Sequence, residues 1–162
     1  MRWSSAVSEN PELPEAIGEC AAQIIEELAE HSPDLVCVFV SEHHAAGFSD
    51  VPRLVREHLG GVLIGCSAGG VIGNGREVEH RPGLAITAAA LPGVEITPFH
   101  AEDDALPDAD APPAAWETLA HTEAEKEPCF LLVADPFSLR GEHLLMGLDY
   151  AFPQSVKIGG LA

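Results

Sequence analysis

The chain has few positive charges, and this shortage excludes two classes of partner. Lysine and arginine together number 8, against 26 acidic residues, and the formal net charge is −18. Such a surface repels phosphate backbones and anionic headgroups, so we expect neither nucleic acid nor a membrane as a partner. The charge fits a highly soluble protein, one adapted to a salty medium, or a surface that recognises a basic partner.

Long apolar runs are also missing. No run approaches the roughly 20 apolar residues that a membrane-spanning helix needs. The segment Met1–Ser8 lacks the apolar core of a signal peptide. The hydrophobic content of 46% is nevertheless that of a globular chain rather than a disordered one. We therefore expect a cytoplasmic, folded domain.

Paired cysteines and phosphate-binding glycine loops are absent as well. The four cysteines are scattered with no Cys-x-x-Cys pair, which disfavours a disulfide framework and a zinc site. The glycines between Gly69 and Gly75 match neither a P-loop, which ends in Lys-Ser or Lys-Thr, nor a dinucleotide fingerprint. We therefore expect no metal and no other cofactor.

One pattern occurs twice in the chain, in 35–68 and 129–162, at a constant spacing of 94 residues. Each segment has an apolar strand, a helix and a second apolar strand with a glycine. The equivalent pairs are Leu54 and Leu148, Val62 and Val156, Ile64 and Ile158, Gly65 and Gly159, and Ala68 and Ala162. We interpret this as an internal duplication, which would bring related strand ends together where ligands bind. The second copy stops at its glycine turn, so we expect a fragment of a longer protein.

Hydrophobic periodicity predicts the other elements. The first part of the chain has a helix at 10–30, then strands Leu35–Val40 and Val62–Ile64 around a helix that starts at Ser49 or Asp50. The middle has strands Arg76–Glu79 and Leu84–Leu91, and Val94–His100 is the hairpin partner of the latter. An acidic connector at 101–127 with a weak helix around Trp116 follows, and a last helix begins after Ser138. The predicted fold is a mixed α/β domain over residues 1–162, with two β-α-β units joined by an antiparallel hairpin region. The alternative is a layered sandwich of two sheets flanked by helices.

A G-x-S-x-G sequence at Gly65–Gly69 raises the question of catalysis. In a nucleophile elbow this pattern follows a strand and opens a helix, and the glycine-rich residues that follow here are poor helix formers. A serine hydrolase would pair Ser67 with His80 or His100. A thiol enzyme would use Cys66. Otherwise the small residues let the backbone turn and approach a ligand closely.

Two histidines and one arginine lie near these glycines. His43 and His44 follow the first strand of the repeated pattern, where they are either loop surface or ligand contacts. Adjacent residues of a strand cannot face one way, so a two-histidine metal site is disfavoured. Arg76 either pairs with Glu77 or Glu79, or binds a ligand carboxylate.

These segments together resemble the FIST N-terminal domain family, named after F-box and intracellular signal transduction proteins. The most specific match is Ile-Gly-Cys-Ser-Ala-Gly-Gly at Ile64–Gly70, and the others are 34–41, His43-His44, 71–73, 77–79 and Ile158–Ala162. The resemblance implies a non-catalytic, cytoplasmic sensory domain that binds a small ligand such as an amino acid. It also implies a FIST C-terminal domain or a signalling output domain or protein as partner.

The residues and the resemblance together predict one ligand site. It comprises Gly65, Cys66, Ser67, Gly69, Gly70, His43, His44 and Arg76, opposed by Gly159 and Gly160. Two other functions stay open: a hydrolase that uses Ser67 or Cys66, and a protein-interaction module of a larger assembly.

Overall fold

The computed structural model describes every residue from Met1 to Ala162 and shows a mixed α/β fold with three sheets and four α-helices. Contacts divide the chain into two compact units, Met1–Ile96 and Thr97–Ala162. The predicted mixed α/β class is confirmed, whereas the duplication remains an interpretation of the sequence.

The first unit contains six strands and two α-helices. In chain order they are β1 (Arg2–Ser8), α1 (Leu13–Leu28), β2 (Leu35–Ser41), α2 (Val51–His58), β3 (Val62–Ala68), β4 (Gly70–Gly73), β5 (Arg76–Glu79) and β6 (Leu84–Ala90). Four strands form one sheet in the order β1-β6-β2-β3. Strand β6 is antiparallel to both β1 and β2, and β2 is parallel to β3. Residues Glu42–Asp50, between β2 and α2, form 3-10 turns.

Apolar sides of α1 and α2 cover one face of this sheet. Ile17 and Ile24 of α1 are fully buried and share the largest core with Val38 of β2 and Val55 of α2. Burial of each such side chain is worth about 1.5–3 kcal/mol, and most of the buried apolar residues of the first unit lie in this layer.

The β4–β5 hairpin covers part of the other face. Successive side chains of a strand point to opposite faces, and Phe39, next to Val38 in β2, accordingly packs with Val71 and Val78 of the hairpin. The hairpin is antiparallel, with Gly70 opposite Glu79. The predicted strand at Arg76–Glu79 is therefore confirmed.

The second unit is smaller and has a single strand pair. Its elements are α3 (Pro113–Ala120), β7 (Phe130–Ala134), α4 (Gly141–Ala151) and β8 (Lys157–Leu161), with 3-10 turns at Asp103–Ala105 and Ala124–Lys126. Strands β7 and β8 are parallel. Trp116 is buried with Leu106, Phe130, Leu148 and Phe152 in the core of this unit. Segment 101–127, predicted as an acidic connector, thus contributes three buried residues to this core: Leu106, Trp116 and Ala120.

One local expectation differs from the structure, and one strand is not expected from the sequence. Val94–His100 forms no strand, because both edges of β6 are already paired, with β1 and β2. The apolar pattern does not reveal β1, because Ser4 and Ser8 fill two of its buried positions. Their hydroxyls donate to the carboxylates of Glu27 and Glu19 on α1, which removes the cost of burying them.

Candidate functional site

A pocket of about 350 Å³ lies in the first unit, between the β2–β3 pair and the segment that carries the 3-10 turns and α2. Its walls are mostly apolar, and its few polar groups lie at the end of β3 and on α2. The lining residues are Val38, Val40, Phe48, Val51, Pro52, Arg56, Leu63, Ile64, Gly65, Cys66 and Ser67. The pocket therefore contains the strand part of the predicted glycine turn.

The pocket exists because β3 carries small residues where β2 carries larger ones. In the parallel register, Gly65 lies opposite Val38 and Ser67 lies opposite Val40. A glycine and a serine leave space beside these valines that larger side chains would fill. The pattern Gly-Cys-Ser thus has a structural consequence that does not require catalysis.

Gly65 is required by the strand pairing itself. A Cβ atom at this position would lie 1.9 Å from the carbonyl oxygen of Val38, a distance that no real Cβ contact permits. The neighbouring backbone therefore approaches so closely that only glycine fits. Gly69, in contrast, has no atom within 4 Å of such a Cβ.

Arg56 is the charged group of the pocket, and no motif in the sequence includes it. It lies in the last turn of α2, where a positive charge interacts favourably with the helix dipole. It is the one arginine of the chain whose guanidinium makes no hydrogen bond and no ion pair. Arg56 lies four residues after Pro52, and residues at this spacing share one side of a helix. This spacing is the only sequence signal that places Arg56 on the side of α2 that borders the pocket.

The surroundings of Cys66 and Ser67 do not activate a nucleophile. Partial burial raises the pKa of the Cys66 thiol, so the protonated and less reactive form dominates at neutral pH. No side-chain hydrogen bond joins Ser67 to a histidine, and His80 is exposed. After β3 the chain enters strand β4 at Gly70 rather than a helix. The nucleophile elbow that the G-x-S-x-G pattern suggests is therefore not formed.

The two adjacent histidines occupy different environments. His44 is buried, 4% exposed, and its Nε2 atom has no hydrogen-bond partner. Burial, followed by the nearby charge of His43, lowers the pKa of His44. His43 is exposed, and its Nδ1 lies 3.5 Å from the hydroxyl of Ser41. Neither histidine lines the pocket.

Arg76 lies on the β4–β5 hairpin and does not line the pocket. Its guanidinium pairs with the carboxylate of Glu9, which also pairs with Arg81. The partner is therefore neither Glu77 nor Glu79, the two that the sequence suggests. Gly69 connects β3 to the hairpin and Gly70 is the first residue of β4, and neither lines the pocket.

Gly159 and Gly160 belong to β8 of the second unit. A Cβ atom at Gly159 would lie 1.8 Å from the carbonyl oxygen of Leu132 in β7. Gly159 thus has the same relation to its neighbouring strand as Gly65 has in the first unit. Gly160 has open space at that position.

The structure offers neither a cluster of metal ligands nor a membrane-spanning helix. No group of three or more histidine, cysteine, aspartate or glutamate side chains is arranged to hold a metal ion. None of the helices combines the length and the apolar character that crossing a membrane requires.

Comparison with known proteins identifies relatives. Residues 34–162 match the family described as FIST N domain. The chain is 29% identical over 162 residues to an uncharacterized protein of Mycobacterium tuberculosis strain CDC 1551 / Oshkosh, and equally to one of strain H37Rv. Each match covers 99% of the chain and 40% of the relative, so the chain spans two fifths of the length of these proteins. No solved structure gives a significant match.

Proposed function

The chain belongs to the FIST N domain family, a family of sensory domains in signal transduction, and on this premise we propose that it binds a small organic ligand in the pocket beside β3. Binding, rather than catalysis, is the proposed activity. A cytoplasmic location and a FIST C-terminal domain or signalling output as partner complete the proposal.

The observation that carries this proposal is the pocket. Its volume of about 350 Å³ falls in the usual range for small-molecule sites, roughly 300–1,000 Å³. Apolar walls with a few convergent polar groups are typical of such sites, and Arg56, Cys66 and Ser67 provide those groups here. The raised pKa of the Cys66 thiol and the strand after Ala68 favour binding over nucleophilic chemistry.

A thermal-shift screen of the 162-residue chain against amino acids and other metabolites tests the proposal. A ligand that binds only the folded state at 100 times its Kd adds about 2.7 kcal/mol of stability. For a chain of this size that corresponds to a rise in Tm of several degrees. The expected result is a rise for a small set of related compounds that grows with their concentration.

Two serine variants locate the binding. Ser67→Trp places an indole in the pocket and should abolish the ligand-induced rise in Tm while the fold remains. Ser32→Trp is the matched control, because Ser32 is an exposed serine outside the pocket lining. Equal ligand shifts in both variants would place the ligand elsewhere and contradict the proposal.

The same screen tests the sequence-based role of Arg76. Because Arg76 pairs with Glu9 on the surface, Arg76→Gln should change ligand affinity less than twofold and stability by less than about 1 kcal/mol. A tenfold loss of affinity in this variant would extend the site to the β4–β5 hairpin.

A further inference from the structure

We propose that the ligand of the pocket is a small monocarboxylic acid, held through its carboxylate by Arg56, with an apolar body that carries no positive charge. This inference rests on the proposed function, because it specifies the ligand of the same pocket.

The first argument is that Arg56 lacks a partner in a chain with 26 acidic residues. Neighbours on a helix surface are three and four residues apart. Arg53 has such neighbours in Asp50 and Glu57 and pairs with both, at 3.2 and 2.6 Å. The corresponding neighbours of Arg56 are Pro52, Arg53, Leu59 and Gly60, and none of these is acidic. The sequence around Arg56 therefore leaves its guanidinium available.

The second argument is that a guanidinium beside apolar walls suits a particular kind of ligand. Arginine presents a planar fork of N–H donors that binds a carboxylate through two parallel hydrogen bonds. Arg56 is exposed, so its guanidinium is accessible to a ligand that enters the pocket, and Phe48 and Leu63 offer apolar contacts to the rest of that ligand. The hydroxyl of Ser67, on the β3 wall, offers one further donor. A carboxylate with an apolar body satisfies both the charge and the walls.

The third argument concerns what the pocket cannot satisfy. No aspartate or glutamate lines it, so an ammonium group in this space would have no anionic partner. A charge that loses part of its hydration without gaining a partner is unfavourable. The free α-ammonium of an amino acid is therefore disfavoured, and the same acid without its amino group is favoured.

The fourth argument is the number of negative charges. One guanidinium neutralises one charge, and the net charge of −18 repels any excess. A single carboxylate is thus favoured over a dicarboxylate or a phosphate ester.

A matched set of compounds tests the inference by NMR titration of the ¹⁵N-labelled 162-residue chain. The probes are 4-methylpentanoate, its amide 4-methylpentanamide and leucine, which is 4-methylpentanoate with an added ammonium group. We expect 4-methylpentanoate to bind at least tenfold more tightly than either of the other two. The shifted amides should be those of β3 and α2 that border the pocket.

Three arginine variants assign the effect to one guanidinium. Arg56→Gln should weaken 4-methylpentanoate at least tenfold and leave the amide unchanged, because only the acid depends on the charge. Arg56→Lys keeps the charge without the fork and should give an intermediate loss. Arg53→Gln is the control, since Arg53 lies on the same helix outside the pocket lining, and it should bind as the unsubstituted chain does.

The other outcomes separate this inference from the proposed function. Equal binding of acid and amide in the pocket, or tighter binding of leucine, overturns the inference and leaves a small-ligand sensor. If all three probes fail to bind while another library compound binds at the pocket, the inference is likewise overturned and the proposed function stands. If no library compound raises Tm and none of the three probes shifts the pocket amides, both the inference and the proposed function are wrong.

Discussion

Each unit contains a strand–helix–strand segment: β2–α2–β3 in the first and β7–α4–β8 in the second. The two strand pairs have the same register, but different elements surround them. Val36 lies opposite Leu63 in the first pair, and Phe130 and Lys157, each 94 positions later, lie opposite one another in the second. The first pair belongs to a four-stranded sheet with helices on one face and a hairpin on the other. The second pair forms a two-stranded sheet.

This difference in surroundings decides how much of the apolar surface of each strand pair is exposed to solvent. In β8, Ile158 and Leu161 are 55% and 71% exposed, whereas the equivalent Ile64 of β3 is only partly exposed and lines the pocket. A local pattern of residues thus determines strand pairing, and the neighbouring elements determine whether the same pattern makes a cavity or an open apolar surface.

The largest expected effect tests whether the two glycines are equivalent. Gly65→Ala and Gly159→Ala each place a methyl group within 2 Å of a backbone carbonyl oxygen. Since a strand backbone cannot move without losing its pairing, each should lower the free energy of unfolding of its own unit by about 3 kcal/mol. Urea unfolding followed by circular dichroism and tryptophan fluorescence measures both.

Neighbouring glycines provide the controls for this comparison. A Cβ atom at Gly69 or Gly160 meets no atom within 4 Å, so Gly69→Ala and Gly160→Ala should change stability by less than about 0.5 kcal/mol. If Gly65→Ala costs much while Gly159→Ala behaves like Gly160→Ala, the two strand pairs are not equivalent.

A smaller loss of stability is expected when a methyl group is added beside the core of the second unit, and a still smaller one beside a flexible side chain in the first unit. A Cβ atom at Gly147 of α4 would lie 2.1 Å from the indole ring of Trp116. Gly147→Ala should therefore cost about 1–3 kcal/mol through displacement of the indole, although alanine is the better helix former. Urea unfolding followed by tryptophan fluorescence measures the loss of stability, and near-ultraviolet circular dichroism reports how tightly the aromatic side chains are held.

Gly47→Ala is the counterpart in the first unit. Its nearest obstacle, at 2.6 Å, is the terminal methyl group Cδ2 of Leu13, which can rotate away. We expect a smaller loss of stability than for Gly147→Ala. A larger loss would mean that the contact between Leu13 and the 3-10 turns is the more rigid of the two.

The smallest effect concerns pH and is confined to the first unit. Burial lowers the pKa of His44 below its ordinary value, against a small opposing influence of Glu12. The unfolded chain therefore takes up a proton first. Stability is fully present above the ordinary pKa of about 6.5 and falls as the pH drops below it, by at most about 1.4 kcal/mol per pH unit for one proton.

Substitution of His44 identifies the source of this pH dependence. His44→Leu removes both the titrating group and its unpaired buried nitrogen, so urea midpoints should change less between pH 7.5 and 5.5 than in the unsubstituted chain. His58→Leu, at an exposed position of α2, should retain the original dependence. An unchanged pH dependence in His44→Leu would assign it to other groups.

Much of the fold is predictable because apolar periodicity reports local structure. Strands β2 and β3, helices α1 and α2 and the strand at Arg76–Glu79 follow from it and are confirmed. Strand β1 does not, because its buried Ser4 and Ser8 are acceptable only once α1 brings carboxylates to them. The failed hairpin partner of β6 has the same origin, since only the sheet order shows that no edge is free.

The candidate site divides in the same way. Gly65, Cys66 and Ser67 are predictable from a short motif, and all three line the pocket. Arg56 is not, because the sequence shows that it lacks acidic neighbours on α2 but not that this helix places it beside the pocket.

The sequence by itself determined the strand–helix–strand pattern and the glycines of β3 and β8, because these depend on residues close together in the chain or on a backbone that tolerates no side chain. Only the tertiary structure decided that Arg76 pairs with Glu9, that His44 is buried without a partner and that Arg56 borders an apolar pocket. These facts depend on contacts between segments distant in sequence, where charge, burial and available space are set jointly by several elements.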